Sequence, residues 1–508
     1  MLSIINSCCV YGMFGHPIQV EVDVSEGLPG FDIVGLPDAS VKESKERVRT
    51  AIKNSGFKFP MKRITVNLAP ADLKKEGPLF DLPIAIGILA ATKQIPENER
   101  IKLSAMVGEL SLDGKVRPVP GVLAISDIIS QIKEFQSFLV PKENAPEAAL
   151  IKGKTIYPVS CLSDLARFFQ HQYEINPLEV DVDRLLKETY QENSCDMSEV
   201  RGQQGVKRAL EVAAAGSHNV LLSGSPGSGK TMLARRLPSI LPSITLEESL
   251  ELTRIYSIAG LLPKNQALIT QRPFRAPHHS ASSASLIGGG RIPRPGEISL
   301  ACHGILFLDE MAEYQKTILE ALRQPMEDKF VTITRVEASY SFPAKFQLVG
   351  SLNPCPCGFF GDPVKECTCT PHQIHKYLGK ISGPLLDRID IRMDVPRVMY
   401  QDLSSDSKGE SSAQIRQRVE IARQIQGERL KGTGIVCNAH MERKQLQKFC
   451  QTSPDAQKLL KDAFDRLKLS ARSHDRILKV ARTIADLEQS TVIQLHHIAE
   501  AIQYRGTM

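Results

Sequence analysis

Residues 224–231 read GSPGSGKT and fit the pattern G-x-x-x-x-G-K-[ST]. No other stretch narrows the fold as much. Before it, 219–223 (NVLLS) is an apolar run of strand length. After it, 232–237 has helix-forming character until Pro238 interrupts. A strand, a glycine-rich turn and a helix start are the context this pattern needs. Gly224, Gly227 and Gly229 permit backbone angles that a side chain forbids. The amides of the loop, Gly224, Ser225, Pro226 (its carbonyl only), Gly227, Ser228 and Gly229, then lead into a helix N-terminus that suits phosphate. Lys230 is placed to reach the β- and γ-phosphates of a nucleotide, and Thr231 to ligate Mg²⁺. The implied cofactors are ATP and Mg²⁺.

A second motif, ILFLDE at 305–310, supplies what such a loop requires. Four apolar residues predict a strand buried on both faces. Asp309 falls at its carboxyl end, where open α/β sheets bind ligands. Asp309 is expected to hold Mg²⁺ through water, and Glu310 to polarise the attacking water. The bland alternative is a surface acidic pair after a core strand. A helix is expected at 314–322, a β-hairpin at 330–346 (FVTITRVEASYSFPAKF), and a strand at 347–351 that ends on Asn353 before Pro354.

Between the two motifs lies 272–296, RPFRAPHHSASSASLIGGGRIPRPG. It reads as a long loop, and such loops are functional or disordered. Its Arg272, Arg275, His278, His279, Arg291 and Arg294, with Arg335 on the hairpin, suit phosphate and sugar contacts with DNA. A solvated basic loop is the alternative. Cys355, Cys357, Cys367 and Cys369 form C-x-C-x₉-C-x-C, two close pairs of soft ligands suited to a structural Zn²⁺; a reduced cysteine-rich turn is the other reading. The whole chain has 508 residues, a net charge of +6 and eleven cysteines. That balance permits a nucleic-acid partner without requiring one. The cysteines are too sparse for a secreted disulfide framework, and no apolar run reaches membrane-span length, so reducing cytosol is the expected compartment. The N-terminus has no basic n-region, which argues against a secretory signal.

The first part, 1–168, alternates strand patterns (18–24, 64–68, 105–110, 138–141) with helical ones (40–54, opened by a serine cap, and 82–92) and predicts an α/β domain. A hairpin is expected between 105–110 and 115–119 across Asp113-Gly114. GELSLDGKVRPVPGV (108–122) and EGPLFDLPIAIG (76–87) resemble the protease domain of the Lon family. That family places its nucleophilic serine after Gly-Pro; here Leu79 follows Pro78, and the position of its lysine falls near Leu123. A Ser–Lys dyad needs a hydroxyl and an amine. The resemblance therefore implies a protease-like domain that is catalytically inactive. Residues 169–196 read as a linker with a short helix at 182–190. A nucleotide-binding domain is expected over 197–400, a second linker over 401–413 and a helical lid over 414–508. In the lid, 470–472 begins a helix whose apolar face is Ile477, Val480, Ala481, Ile484 and Leu487.

RPFRAPHHS, GGGRIPRPGEISLACHGILFLDE, LRQPMED, SLNPCPCG, SGPLLDRID and ILKVARTIADL together resemble the magnesium-chelatase-like AAA+ family. The likeness spans essentially the whole chain; one departure is Cys302 in LACHG, where the pattern LAHNG is expected. The fold implied is α/β: an AAA+ P-loop core, an N-terminal Lon-protease-like α/β domain and a C-terminal helical lid domain. In this fold class Gly202 and Gln203 open the adenine side, and Asn353 senses the γ-phosphate. Arg388, in GPLLDRID, points into the neighbouring subunit's nucleotide, and Arg472 reaches back from the lid. For Asn353 the alternative is a turn cap, and for Arg388 a helix-end salt bridge. The resemblance further implies a homo-hexameric DNA motor, acting on single-stranded and branched DNA with recombination proteins, that drives branch migration during natural transformation. Two other functions remain open. One is the motor subunit of a metal-inserting chelatase, although the chain has no D-x-S-x-S run of its own. The other is protein remodelling.

Overall fold

Alternation of apolar and polar residues over 14–25 makes one face of a strand core and the other face wet, and the computed structural model places Phe14–Ser25 antiparallel to Leu2–Tyr11. The described residues are 1–188, 195–264, 266–290, 293–335, 339–397 and 409–505. They fall into two units, Met1–Glu188 with Leu246–Thr270 and Thr334–Ser341, and Thr189–Thr245 with Gln271–Ile333 and Phe342–Met508.

The first unit is built on a seven-stranded mixed sheet, in the order Gly30–Val34, Arg63–Ala69, Phe14–Ser25, Leu2–Tyr11, Ser104–Met106, Ser137–Pro141, Thr155–Val159. The helix Asp81–Ala91 is buried on every side, as its unbroken apolar sequence demands. Gly87 lets it approach the sheet, since a Cβ there would sit 2.5 Å from Val22 Cγ2. Asp81 closes its N-terminal end, accepting from Arg47 Nε at 2.7 Å. The helix Ala39–Asn54 is capped not by a serine but by Asp38, whose carboxylate accepts from the Val41 N–H at 2.8 Å. Asp38 has the extended backbone a cap needs, whereas Ser40 is already helical. The expected hairpin is shorter than predicted: only Glu109–Leu110 pairs with Val116–Arg117. Residues 104–106 join the large sheet instead, because the chain leaves it at Val107 and Gly108, whose N–H groups bond Leu139 and Leu79.

The helix Leu246–Ala259, unread in the sequence, also belongs to this unit. Arg254 pairs with Asp127 at 3.0 Å, and Ser257 Oγ accepts from the Gly121 N–H at 2.9 Å. Leu79 and Leu123 are both buried. The Leu123 N–H donates to Glu147 Oε1 at 2.7 Å, and Ser257 Oγ donates to the same carboxylate. The two positions that would carry a protease dyad therefore hold core leucines.

The second unit contains a parallel five-stranded sheet, ordered Phe274–Arg275, Ile305–Leu308, Gln347–Leu352, Val220–Ser223, Ile391–Asp394. Its three central strands are buried along their length, which is why they read as apolar runs rather than alternations. The carboxyl ends of those three strands bring 224–231, 309–310 and 353 to one edge. Past Ser411, which caps its helix, come Ser412–Arg429, Arg443–Phe449, Pro454–Arg466, Ala471–Leu487 and Leu495–Gln503. Ser470 caps the fourth, and Ile477, Val480, Ala481 and Ile484 are its buried face, as expected. Arg476 of that helix bonds buried Asp390, which ties it to the end of the strand-leading turn. The helix expected over 182–190 is seen at Val182–Glu188; Tyr190, like 401–408 of the second expected linker, lies outside the described residues.

Candidate active site

The strand Val220–Ser223 delivers the chain to a turn that only glycine can make. A Cβ on Gly224 would lie 2.5 Å from the Val395 carbonyl oxygen, and Gly227 and Gly229 have φ of +79° and +93°. The helix Lys230–Arg236 starts immediately afterwards. Lys230 Nζ donates to the Gly224 and Ser225 carbonyls at 2.6 and 3.0 Å and to Asn353 Oδ1 at 3.2 Å. Burial pulls the Lys230 ammonium below its ordinary range, while Asp309 and Glu310 oppose the shift. Thr231 Oγ1 donates to Asp309 Oδ2 at 3.0 Å. Two oxygens thus meet where a hard cation is expected.

Glu310 has a left-handed backbone, φ 49°, an uncommon state for a residue with a side chain. Its N–H donates to Ser351 Oγ at 2.9 Å, and Ser351 Oγ donates in turn to Asp309 Oδ1. This leaves the Glu310 side chain exposed beside a fixed Asp309. Ser351 was missed in the sequence; its only signal is a hydroxyl in an otherwise apolar strand end. Gln203 braces the loop from outside, donating to the Ser228 and Pro396 carbonyls at 2.7 and 3.0 Å.

The residues fit a Mg²⁺-nucleotide. Among the described residues, Ser228 Oγ is buried without a partner inside the loop, and nothing lies within 4 Å of the space a Gly227 Cβ would take. Thr231 and Asp309 would hold the metal, and Lys230 the phosphates.

Arg388 and Arg472 stand together, around Glu327. Arg388 is buried, donates to the Pro384 carbonyl at 2.6 Å, and pairs with Glu327 rather than with the aspartates flanking it in sequence. Arg388, with help from Arg472 and Arg323, holds the Glu327 carboxyl below its usual range against partial burial. Arg472 is exposed at the start of its helix.

The described residues of 272–296 are not a long open loop. Phe274–Arg275 pairs with Ile305–Leu306, 283–287 is a helix, and Gly288–Gly289 pairs with Arg294–Pro295. Composition rich in Gly, Ser and Pro hid these short elements. Arg272 donates to the carbonyls of Pro242, His303 and Ser243, and Arg275 makes a two-pronged pair with Glu297, both bonds 2.7 Å. His278, Arg294 and Arg335 are exposed, and His279 is half-buried beside His278. Arg291 lies outside the described residues. The expected hairpin forms from Phe330–Thr334 and Ser339–Pro343.

Cys355, Cys357, Cys367 and Cys369 converge, all four sulfurs lying within 4.8 Å of one another. Sγ of Cys355 is 3.3 Å from that of Cys357 and 3.6 Å from that of Cys367. A disulfide would need about 2.05 Å. Four sulfurs at about 2.3 Å from a tetrahedral zinc stand about 3.8 Å apart. The observed spacings match the second arrangement.

Comparison with known proteins adds to this geometry. Residues 196–403 match the family described as magnesium chelatase, subunit ChlI; 20–144 match subunit ChlI of Mg-chelatase; 409–505 match the C-terminal part of that subunit. The chain is 44% identical over 510 residues to competence protein ComM of Haemophilus influenzae, covering 99% of this chain and 97% of that one. It is 44% identical over 508 residues to the YifB protein of Escherichia coli, with the same two shares of 99% and 97%. A shorter likeness, 28% over 168 residues, relates it to Lon protease 2 of Bacillus subtilis, over 30% of this chain and 29% of that one.

Proposed function

The chain belongs to the magnesium-chelatase-like AAA+ family, in the subfamily of ComM and YifB, and on that premise we propose that it is an ATP-driven hexameric DNA translocase that promotes branch migration of recombination intermediates during natural transformation. Its fold is α/β, with a P-loop core, a Lon-protease-like α/β part and a C-terminal helical part. The family is one of ATPases. The observation that carries the reading is the junction of Lys230 with Asn353 and of Thr231 with Asp309, which links the phosphate loop to two other strand ends.

Bound ATP with Mg²⁺ supplies the phosphoanhydride to be cleaved and a metal charge against its phosphates. Lys230 trades its loop carbonyls for phosphate oxygens and carries its bond to Asn353 along, so Asn353 registers the terminal phosphate. Thr231 and Asp309 would hold the metal. Glu310, exposed and aimed by its backbone, orients a water and takes its proton. Lys230→Ala should therefore weaken nucleotide binding strongly, about tenfold or more on the scale of a lost charge-assisted contact. A binding titration with a fluorescent ATP analogue checks this, and wild-type affinity would remove Lys230 from the site.

DNA is the proposed partner because a relative across the whole chain is a competence protein by name. We assign the contacts to His278, His279, Arg291, Arg294 and Arg335. Arg272 and Arg275 support the segment through bonds they already make. Contacts to phosphate carry affinity without sequence, so binding should be sequence-tolerant and fall steeply with salt. ATPase rate should rise with DNA, and strand displacement should appear on forked or four-way DNA. The likeness to the magnesium chelatase subunit ChlI favours a second reading, a chelatase motor subunit. ATPase that ignores DNA but responds to a porphyrin-complex partner would select it. We assign the first unit no peptidase chemistry, and a structural zinc to the four cysteines. Metal analysis should find about one Zn per chain, lost in Cys355→Ser with Cys357→Ser. No described helix is long and apolar enough to cross a membrane.

A further inference from the structure

We propose that the four-cysteine loop, 355–369, forms the outer wall of the phosphate loop, so that zinc occupancy sets the affinity for nucleotide. The proposal rests on the zinc assignment above and extends it from stability to control of the neighbouring site.

Backbone N–H groups turn toward two of the four sulfurs of this knuckle. The Phe360 N–H donates to Cys355 Sγ at 3.3 Å, and the Cys369 N–H to Cys367 Sγ at 3.4 Å. Such bonds fold the two turns tightly around their sulfurs. Gly358 turns the chain between the two pairs with φ +85°, its N–H bonded to the Cys355 carbonyl at 3.0 Å.

The knuckle meets the phosphate loop at two places. At the first, backbone packs on ring: a Cβ on Gly358 would lie 2.6 Å from both Cδ and Cγ of Pro226. At the second, Arg397 spans the gap. It pairs with Asp362 of the knuckle at 2.8 Å and donates to Ser225 Oγ of the phosphate loop at 3.2 Å. Asp362 is itself fixed, accepting from the Val364 and Lys365 N–H groups at 2.9 and 3.0 Å. The Arg397 guanidinium also lies 5.7 Å from the centre of the Phe359 ring, on the same turn.

The first cysteine follows Asn353 by two residues, so the knuckle also extends the strand end that contacts Lys230. A loop with two glycines at positive φ has little stiffness of its own. Pro226 is exposed and Ser225 buried; Gly358 of the knuckle meets the first directly, and Asp362 reaches the second through Arg397. A segment of this size with little apolar burial holds one shape only if the metal fixes it. Without zinc the knuckle loosens, Asp362 and Gly358 leave their partners, and the phosphate loop loses its preorganised form.

The test uses the full chain. Zinc is released with a thiol-reactive mercurial and a chelator, the reagents are removed with excess thiol, and affinity for a fluorescent ATP analogue is titrated with circular dichroism as the folding control. We expect the zinc-free chain to keep its secondary structure and bind the analogue tenfold or more weakly, with recovery on adding Zn²⁺. Asp362→Asn keeps the acceptor for the turn but removes the charge facing Arg397. It should retain its zinc and bind severalfold more weakly, and it decides the matter if zinc removal unfolds the chain. Unchanged affinity in a folded zinc-free chain, or in zinc-loaded Asp362→Asn, overturns the coupling and leaves the metal site standing. A chain that neither carries nor takes up zinc overturns the metal site itself, and the proposal with it.

Discussion

Glu310→Gln should bind ATP about as well as the wild type and turn it over roughly 10²-fold or more slowly. The substitution is isosteric, so it leaves in place what the structure uses to build this corner. The Glu310 N–H still donates to Ser351 Oγ, and Ser351 still holds Asp309. Lys230, Thr231 and Asn353 are untouched, which is why binding should survive. What is lost is a carboxylate able to accept a proton from water. The left-handed backbone at Glu310 makes the assignment sharper, because an extended one would send the side chain elsewhere. Phosphate release measured with saturating ATP, beside an equilibrium binding titration, separates the two effects. Near-normal turnover would refute the role of Glu310 as the residue that activates water.

The core of the candidate ATP site was legible as a cluster because its signals are local and have backbone causes. GSPGSGKT needs its glycines whatever the rest of the chain does, and ILFLDE is apolar because both faces of its strand are covered. Ser351 was not legible, since its role depends on two residues brought beside it only by strand pairing. The same holds for the cap of Ala39–Asn54. Asp38 and Ser40 are both good cap residues, and the choice was made by where the extended chain stops. Residues 272–296 misled for the opposite reason. Their composition is that of a loop, yet two residues of strand pairing and a guanidinium bonded to three distant carbonyls shape them. Partners so far away in sequence leave no periodic trace. The four cysteines lay between these cases: spacing paired them, but only the fold brought the two pairs into one cluster.

Arg388→Ala should bind ATP and DNA yet lose hydrolysis by roughly 10³–10⁵-fold, the range for an arginine that stabilises transition-state charge. In its own chain Arg388 is held by Glu327 and the Pro384 carbonyl, and its Nε is buried without a partner among the described residues. A guanidinium with one unused donor and a half-exposed carboxylate as its partner is in a state that a phosphate can compete for. Only the Glu327 side of that pair is half-exposed, so solvent screens it in part. The proposed catalytic gain corresponds to about 4–7 kcal/mol. We propose that Arg388 exchanges Glu327 for the nucleotide of an adjacent subunit, a gain realised in the rate of hydrolysis. Arg472 and Arg323, which also stabilise the Glu327 carboxylate, would keep that acid occupied once Arg388 leaves it. The proposal therefore requires a site shared between subunits. Lys230→Ala subunits lack phosphate binding but supply the arginine; Arg388→Ala subunits bind but lack the arginine. Mixed rings should regain some hydrolysis at interfaces where an intact phosphate loop faces an intact Arg388, whereas each variant alone stays inactive. Normal hydrolysis by Arg388→Ala, or full activity at dilutions where only monomer exists, would show that the chain completes its own site and that no ring is needed.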